Sequence, residues 1–88
     1  MAPGGSPALS QARVVLFTRP GCHLCDDARA VVAAVTAQLG ERYVERDITL
    51  DPGDLRAYID SIPVVTVDGV QVDYWRVSPD RLRAALAR

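Results

Sequence analysis

Arg19-Pro20-Gly21-Cys22-His23-Leu24-Cys25-Asp26 joins a short apolar run to a long amphipathic one and carries both cysteines of the chain. Two thiols at this spacing, placed where a helix begins, lie close enough to close a small disulfide ring, so the C-x-x-C pattern points to redox chemistry. Cys22 falls where unpaired backbone N–H groups and the positive end of a helix dipole favour an anion. Because the thiolate is the attacking species, such a position brings a cysteine from about 8.5 towards roughly 3.5 to 7.5. Cys25, one helical turn deeper, is then placed to resolve a mixed disulfide.

The simpler reading, a pair of buried and inert thiols, is disfavoured by the Pro20-Gly21 turn in front of them. A mononuclear zinc site needs four ligands, which two cysteines and the single histidine cannot supply within one chain. Haem attachment requires histidine directly after the second cysteine, where Asp26 stands instead.

Length and charge narrow the remaining classes. Eighty-eight residues make one domain with a small core. A formal charge of −1 provides no basic field for nucleic acid or an anionic membrane surface, and no apolar run approaches the roughly 20 residues of a membrane span. All ten basic residues are arginine, which excludes Schiff-base chemistry and leaves guanidinium as the side-chain cation. Residues 1–10, rich in Pro, Gly and Ser, read as a disordered tail ahead of a domain over 11–88. They lack the charged and apolar segments of a secretory signal, so a reducing cytoplasmic setting is expected, where a lone cysteine pair serves chemistry more often than stapling.

Along the chain, Arg13 to Thr18 is a nearly continuous apolar run ended by Pro20-Gly21, which predicts a central strand buried on both faces. Leu24, Ala28, Val31, Val32, Val35 and Leu39 recur at helical spacing, with Gly40 as the terminator and Asp26, Arg29 and Gln38 on the wet face. Tyr43 to Ile48 predicts a second strand, parallel to the first, with Val44 and Ile48 inward. Asp51-Pro52-Gly53-Asp54 opens a short helix with Leu55, Tyr58 and Ile59 inward. Val64 to Val67 and Val70 to Val72 flank Asp68-Gly69, a strong hairpin signal. Ser78-Pro79-Asp80 caps a last helix with Leu82, Ala85 and Leu86 on one stripe. The order is β-α-β-α-β-β-α: an α/β fold with a four-stranded mixed sheet flanked by three helices.

With C-x-x-C after the first strand and Ile62-Pro63 opening the third, residues 13–87 resemble the glutaredoxin-like proteins of the thioredoxin-fold superfamily. They look closest to a small subgroup marked by Gly-Cys-x-Leu-Cys-Asp, here Gly21 to Asp26, and by Tyr-x-x-x-Ile-Pro-Val, here Tyr58 to Val64. The resemblance implies that Cys22 is the nucleophile, that Cys25 is the resolving thiol and that Pro63 is a cis-proline facing the disulfide. It further implies that the backbone of Ile62 pairs with an extended thiol substrate. Arg19 takes the place of a basic residue that contacts a glutathione carboxylate and supports the thiolate. The chain departs from typical glutaredoxins in carrying His23 and Leu24 between its cysteines. It also lacks the glycine pair that receives the γ-glutamyl end of glutathione, and Asp73 in Val70-Gln71-Val72-Asp73 is not assigned to such a site.

These readings combine into a cytoplasmic thiol–disulfide oxidoreductase acting in electron transfer and cell redox homeostasis. Its implied substrates are disulfide-containing proteins or small thiols, and its reset comes from glutathione, another low-molecular-weight thiol or a reductase. No bound cofactor or metal and a monomeric state are expected. Two alternatives belong to the binding class: two chains sharing an iron–sulfur cluster through one thiolate each, or a peptide-binding thioredoxin-fold protein without turnover. His23 is either a solvent-facing filler or, when protonated, a stabiliser of the thiolate that makes the pair more oxidising, at about 1.4 kcal/mol per 30 mV. Asp26 and Asp27 oppose that effect. For Trp75, packing is the preferred reading over flanking a substrate groove.

Overall fold

The computed structural model describes residues 12–88; the tail predicted over 1–10 lies outside them. Strands β1 (Val14–Thr18), β2 (Tyr43–Asp47), β3 (Val64–Val67) and β4 (Val70–Tyr74) form one sheet in the order β2-β1-β3-β4. Helices α1 (His23–Leu39), α2 (Pro52–Tyr58) and α3 (Pro79–Leu86) complete the β-α-β-α-β-β-α order, with a 3-10 turn over Ile48–Leu50 that the sequence reading did not anticipate. β1 runs parallel to β2 and antiparallel to β3, and β3 is antiparallel to β4. The sheet is therefore mixed, with the apolar β1 and β3 inside and the more polar β2 and β4 at its edges. No helix of the described residues is long and apolar enough to cross a membrane.

Alternation along β1 divides the core. Val14 and Leu16 face a larger cluster built with Ala28, Val32 and Val35 of α1 and Leu82, Ala85 and Leu86 of α3. Phe17 faces a smaller cluster that holds Cys25, Ile48, Ile62 and Val64, with Cys22 and Tyr58 packed against it. The second cluster ties the C-x-x-C segment to the start of β3. That link joins residues far apart in the chain and places Cys25 in one cluster with Ile62.

Local chemistry sets the element ends. Gly40 ends α1 with φ +67°, in the left-handed region where a missing Cβ removes the usual steric cost. Asp51 caps α2 through the N–H groups of Gly53 and Asp54, and Ser78 caps α3 through that of Arg81. Asp68 and Gly69 both carry positive φ, 53° and 83°, as a two-residue I′ hairpin requires.

Several inward assignments are corrected. Val44 is exposed, and Tyr43 is the β2 residue packed against the core, because β2 is an edge strand with little above it. Ile48 is fully buried, but the 3-10 turn rather than strand alternation carries it inward. In α2 only Tyr58 meets the core, its ring 4.4 Å from that of Phe17, while Leu55 and Ile59 face outward. A seven-residue helix that touches the sheet at one end has no second turn to bury. Leu24 is half-buried and Leu39 exposed on α1, whereas Cys25 and Thr36 are buried; the Thr36 hydroxyl donates to the Val32 carbonyl at 2.7 Å.

Candidate functional site

Pro20 and Gly21 turn the chain from the end of β1 into α1, and Gly21 adopts φ +71° with no neighbour within reach of a Cβ. The glycine is there for its backbone conformation, not to make room. Cys22 follows as the N-cap of α1, in extended conformation, and its Sγ accepts the N–H of Cys25 at 3.1 Å. A sulfur thus occupies the position where oxygen-bearing side chains usually satisfy the first free N–H groups of a helix. Cys22 and Cys25 are joined as a disulfide with their Cα atoms 5.2 Å apart.

The two sulfurs differ in access. Cys25 is 1% exposed and belongs to the smaller core cluster, whereas Cys22 is half-buried at the mouth of a cleft. An incoming thiolate or disulfide therefore meets Cys22 first, and Cys25 is reachable only from within.

That cleft, of about 500 Å³, is lined by Arg19, Cys22, His23 and charged groups of α1 and β2. Arg29 of α1 donates Nε to Glu45 Oε1 and Nη2 to Glu45 Oε2, both at 2.8 Å, in a forked pair with β2. Its Nη1 donates to Asp26 Oδ1 at 2.8 Å, and Thr18 at the end of β1 donates its hydroxyl to Glu45 Oε2 at 2.9 Å. The Arg29 guanidinium, aided by the Thr18 hydroxyl, holds the Glu45 carboxyl below its ordinary range, and the same carboxylates push Arg29 further up. Asp26, expected to oppose a Cys22 thiolate, is thus already paired with a cation. Helical spacing puts Arg29 on the wet face and names no partner for it. The bond to Glu45 spans sixteen residues, and no local pattern announces it.

Ile62 and Pro63 precede β3, and the peptide bond between them is cis. Both are buried. Pro63 accepts the N–H of Trp75 at 2.8 Å, while Ile62 lies outside the sheet ladder beside the cysteines. Leu24, Ile62, Asp73, Tyr74, Trp75, Arg76 and Arg81 line a second cleft of about 450 Å³. Trp75 is 52% exposed and lines this cleft, so the packing expected of it is not found. Asp73 is 4% exposed, accepting Tyr74 N–H and Arg81 Nη1 at Oδ1 and Ser78 N–H at Oδ2. It acts as a structural anchor for the turn into α3.

Of the residues singled out from sequence, Arg19, Cys22 and His23 therefore line the first cleft. Ile62 lines the second and shares a buried cluster with Cys25, against which Cys22 packs. Arg19 makes no ion pair among the described residues, and His23 is exposed.

Comparison with known proteins agrees with this geometry. Residues 13–87 match the model of a family described as glutaredoxin-like domain (DUF836). The chain is 35% identical over 85 residues to the uncharacterized protein Rv0508 of Mycobacterium tuberculosis, a match covering 91% of this chain and 88% of that protein. The X-ray structure of protein XcR50 from X. campestris superposes with a TM-score of 0.70 at 31% identity, covering 84% of this chain and 95% of the other. Thioredoxin from Fasciola hepatica shares the fold with a TM-score of 0.61 at 21% identity, over 93% of this chain and 86% of its own.

Proposed function

This chain belongs to the glutaredoxin-like domain family, and from that membership we propose that it is a thiol–disulfide oxidoreductase working by dithiol exchange. The observation that carries the reading is the unequal access of the two sulfurs: Cys22 caps a helix at a cleft mouth and Cys25 lies behind it in the core. In the reduced protein, the Cys22 thiolate attacks one sulfur of a substrate disulfide; a mixed disulfide forms and the first substrate thiolate leaves. Cys25, deprotonated, then attacks Cys22 Sγ, closing the internal disulfide and releasing the second substrate thiolate. Two electrons pass from the dithiol to the substrate, and the two cysteine protons are taken up by the departing thiolates or by solvent.

The surrounding residues fit roles in that exchange. The backbone of Ile62, beside Pro63 and outside the ladder, pairs with an extended substrate, and Arg19 offers a cation to the Cys22 thiolate or to a substrate carboxylate. His23, when protonated, adds to that support. Glutathione, another low-molecular-weight thiol or a reductase returns the pair to the dithiol state. The protein acts in the cytoplasm, as a monomer, on disulfide-bearing proteins or small thiols, in redox homeostasis.

The test is an equilibrium titration in buffered thiol and disulfide mixtures, with free thiols trapped by an alkylating agent and each species read by mass. A reversible two-electron transition between roughly −270 and −120 mV is expected, the interval occupied by catalytic dithiols. Cys22→Ser abolishes exchange, and Cys25→Ser leaves a trapped mixed disulfide. Undiminished exchange by the Cys22→Ser protein would sink the scheme.

A further inference from the structure

We propose that the aromatic cleft selects the substrate: it takes an extended protein segment that carries an apolar side chain and a carboxylate next to its reactive cysteine. This inference rests on the exchange reading above and names the class of disulfide it serves.

The cleft adjoins the C-x-x-C segment, since its lining includes Leu24, which stands between the two cysteines in the chain, and Ile62, which shares a buried cluster with Cys25. Its wall is a preset aromatic surface. Trp75 holds φ +60°, a left-handed conformation that bulky side chains seldom adopt, and the residue is tied through both its backbone and its ring. Its backbone N–H donates to Pro63, and Nε1 donates to the Asp60 carbonyl at 3.2 Å. Tyr74 meets it edge-on at 5.0 Å. Both rings are nevertheless about half exposed. Rings held rigidly with open faces offer apolar contact at little cost in side-chain entropy, which is how binding surfaces use Tyr and Trp.

Charge decides the second half of the substrate. The carboxylate in the cleft, Asp73, is buried with both oxygens committed to backbone and Arg81, so it is closed to a substrate ammonium. Arg76 is exposed and makes no ion pair among the described residues, and Arg81 spends a single nitrogen on Asp73 while remaining 71% exposed. The rim thus presents guanidinium donors suited to a carboxylate. The cleft across the disulfide has the opposite balance, with Asp26, Glu45 and Asp47 against Arg19 and Arg29. An acidic segment is drawn to one side of the pair and turned away from the other.

Trp75 is the sole tryptophan of the chain, so its fluorescence reports the cleft directly. Oxidised protein is titrated with two capped peptides, Gly-Phe-Ser-Glu-Gly and Gly-Phe-Ser-Lys-Gly, in which serine replaces the reactive cysteine. The glutamate peptide is expected to bind about fivefold more tightly at low salt, the scale of exposed charge pairs, and Arg76→Glu to reverse the order. Equal titration by both peptides, no change with either, or an unchanged order in Arg76→Glu overturns the inference. Exchange of Cys22 with bis(2-hydroxyethyl) disulfide, which has neither ring nor carboxylate, is followed in parallel. Exchange without peptide preference removes the cleft inference alone; preference without exchange removes the oxidoreductase reading and with it the substrate role, leaving a cleft that binds acidic peptides.

Discussion

Two clefts lie near the C-x-x-C segment, one lined by Cys22 and the other by Leu24 and Ile62, and they are held together by different physics. One is walled by charges that pair with one another: Arg29 bridges Asp26 and Glu45, and Thr18 supports Glu45. The other is walled by Tyr74 and Trp75, whose faces are open, above a buried Asp73 that serves the backbone. In the first, side chains satisfy each other and hold α1 to the β2 edge. In the second, the satisfied groups lie underneath and the surface is left over for contact. The difference teaches which cleft tolerates change: a wall of exposed ion pairs loses little when one is cut, whereas a buried anchor cannot be removed without stranding its donors.

The strongest break in that comparison is Asp73→Ala. It leaves the N–H groups of Tyr74 and Ser78 without their acceptor beneath the aromatic cleft, and a loss of about 2 to 4 kcal/mol is expected from urea unfolding, with the midpoint falling and the slope unchanged. A shift below the error of the fit would mean that water replaces the carboxylate there.

Arg29→Ala, in the charged cleft, is expected to cost no more than about 1 kcal/mol, because its pairs are partly exposed. The same melts repeated in about 1 M salt should narrow its difference from the parent protein, as screening predicts. A salt-independent difference would assign the loss to packing of the arginine stem instead.

Protonation sharpens the contrast further. Glu45 has its folded-state pKa lowered by Arg29 and then by Thr18. Its contribution is therefore fully present above the unfolded value of about 4.3 and is lost as pH falls through the lower folded one. Glu45→Gln should be less stable than the parent at neutral pH and should converge with it in acid, below about pH 4. Parallel curves down to pH 2 would show that the pair contributes nothing. The smallest change is Arg76→Ala, whose stability should stay within about 0.5 kcal/mol of the parent because its exposed side chain anchors nothing.

Much of this arrangement is legible along the chain. The Pro20-Gly21 turn, the Asp51 and Ser78 caps, Gly40 and the Asp68-Gly69 hairpin all act through bonds within a few residues, and each adopts the expected form. The errors share a different cause. Val44, Leu55 and Ile59 have the right spacing to be inward, yet periodicity names a face without saying whether anything covers it. An aromatic residue such as Trp75 reads as packing, yet it holds a left-handed backbone, bonds Asp60 through its ring and stays half exposed.

The sequence carries two cysteines at the start of a helix, a proline before the third strand, and an order of strands and helices that places both at one end of the sheet. Those features depend on local turns and on apolar patterns strong enough to specify burial. The tertiary structure alone decided how unequal the two sulfurs are, which charges pair beside them and which rings stay open. Each of these depends on contacts between residues far apart in the chain, where one side chain's surroundings are set by elements that carry no mark of it in their own sequence.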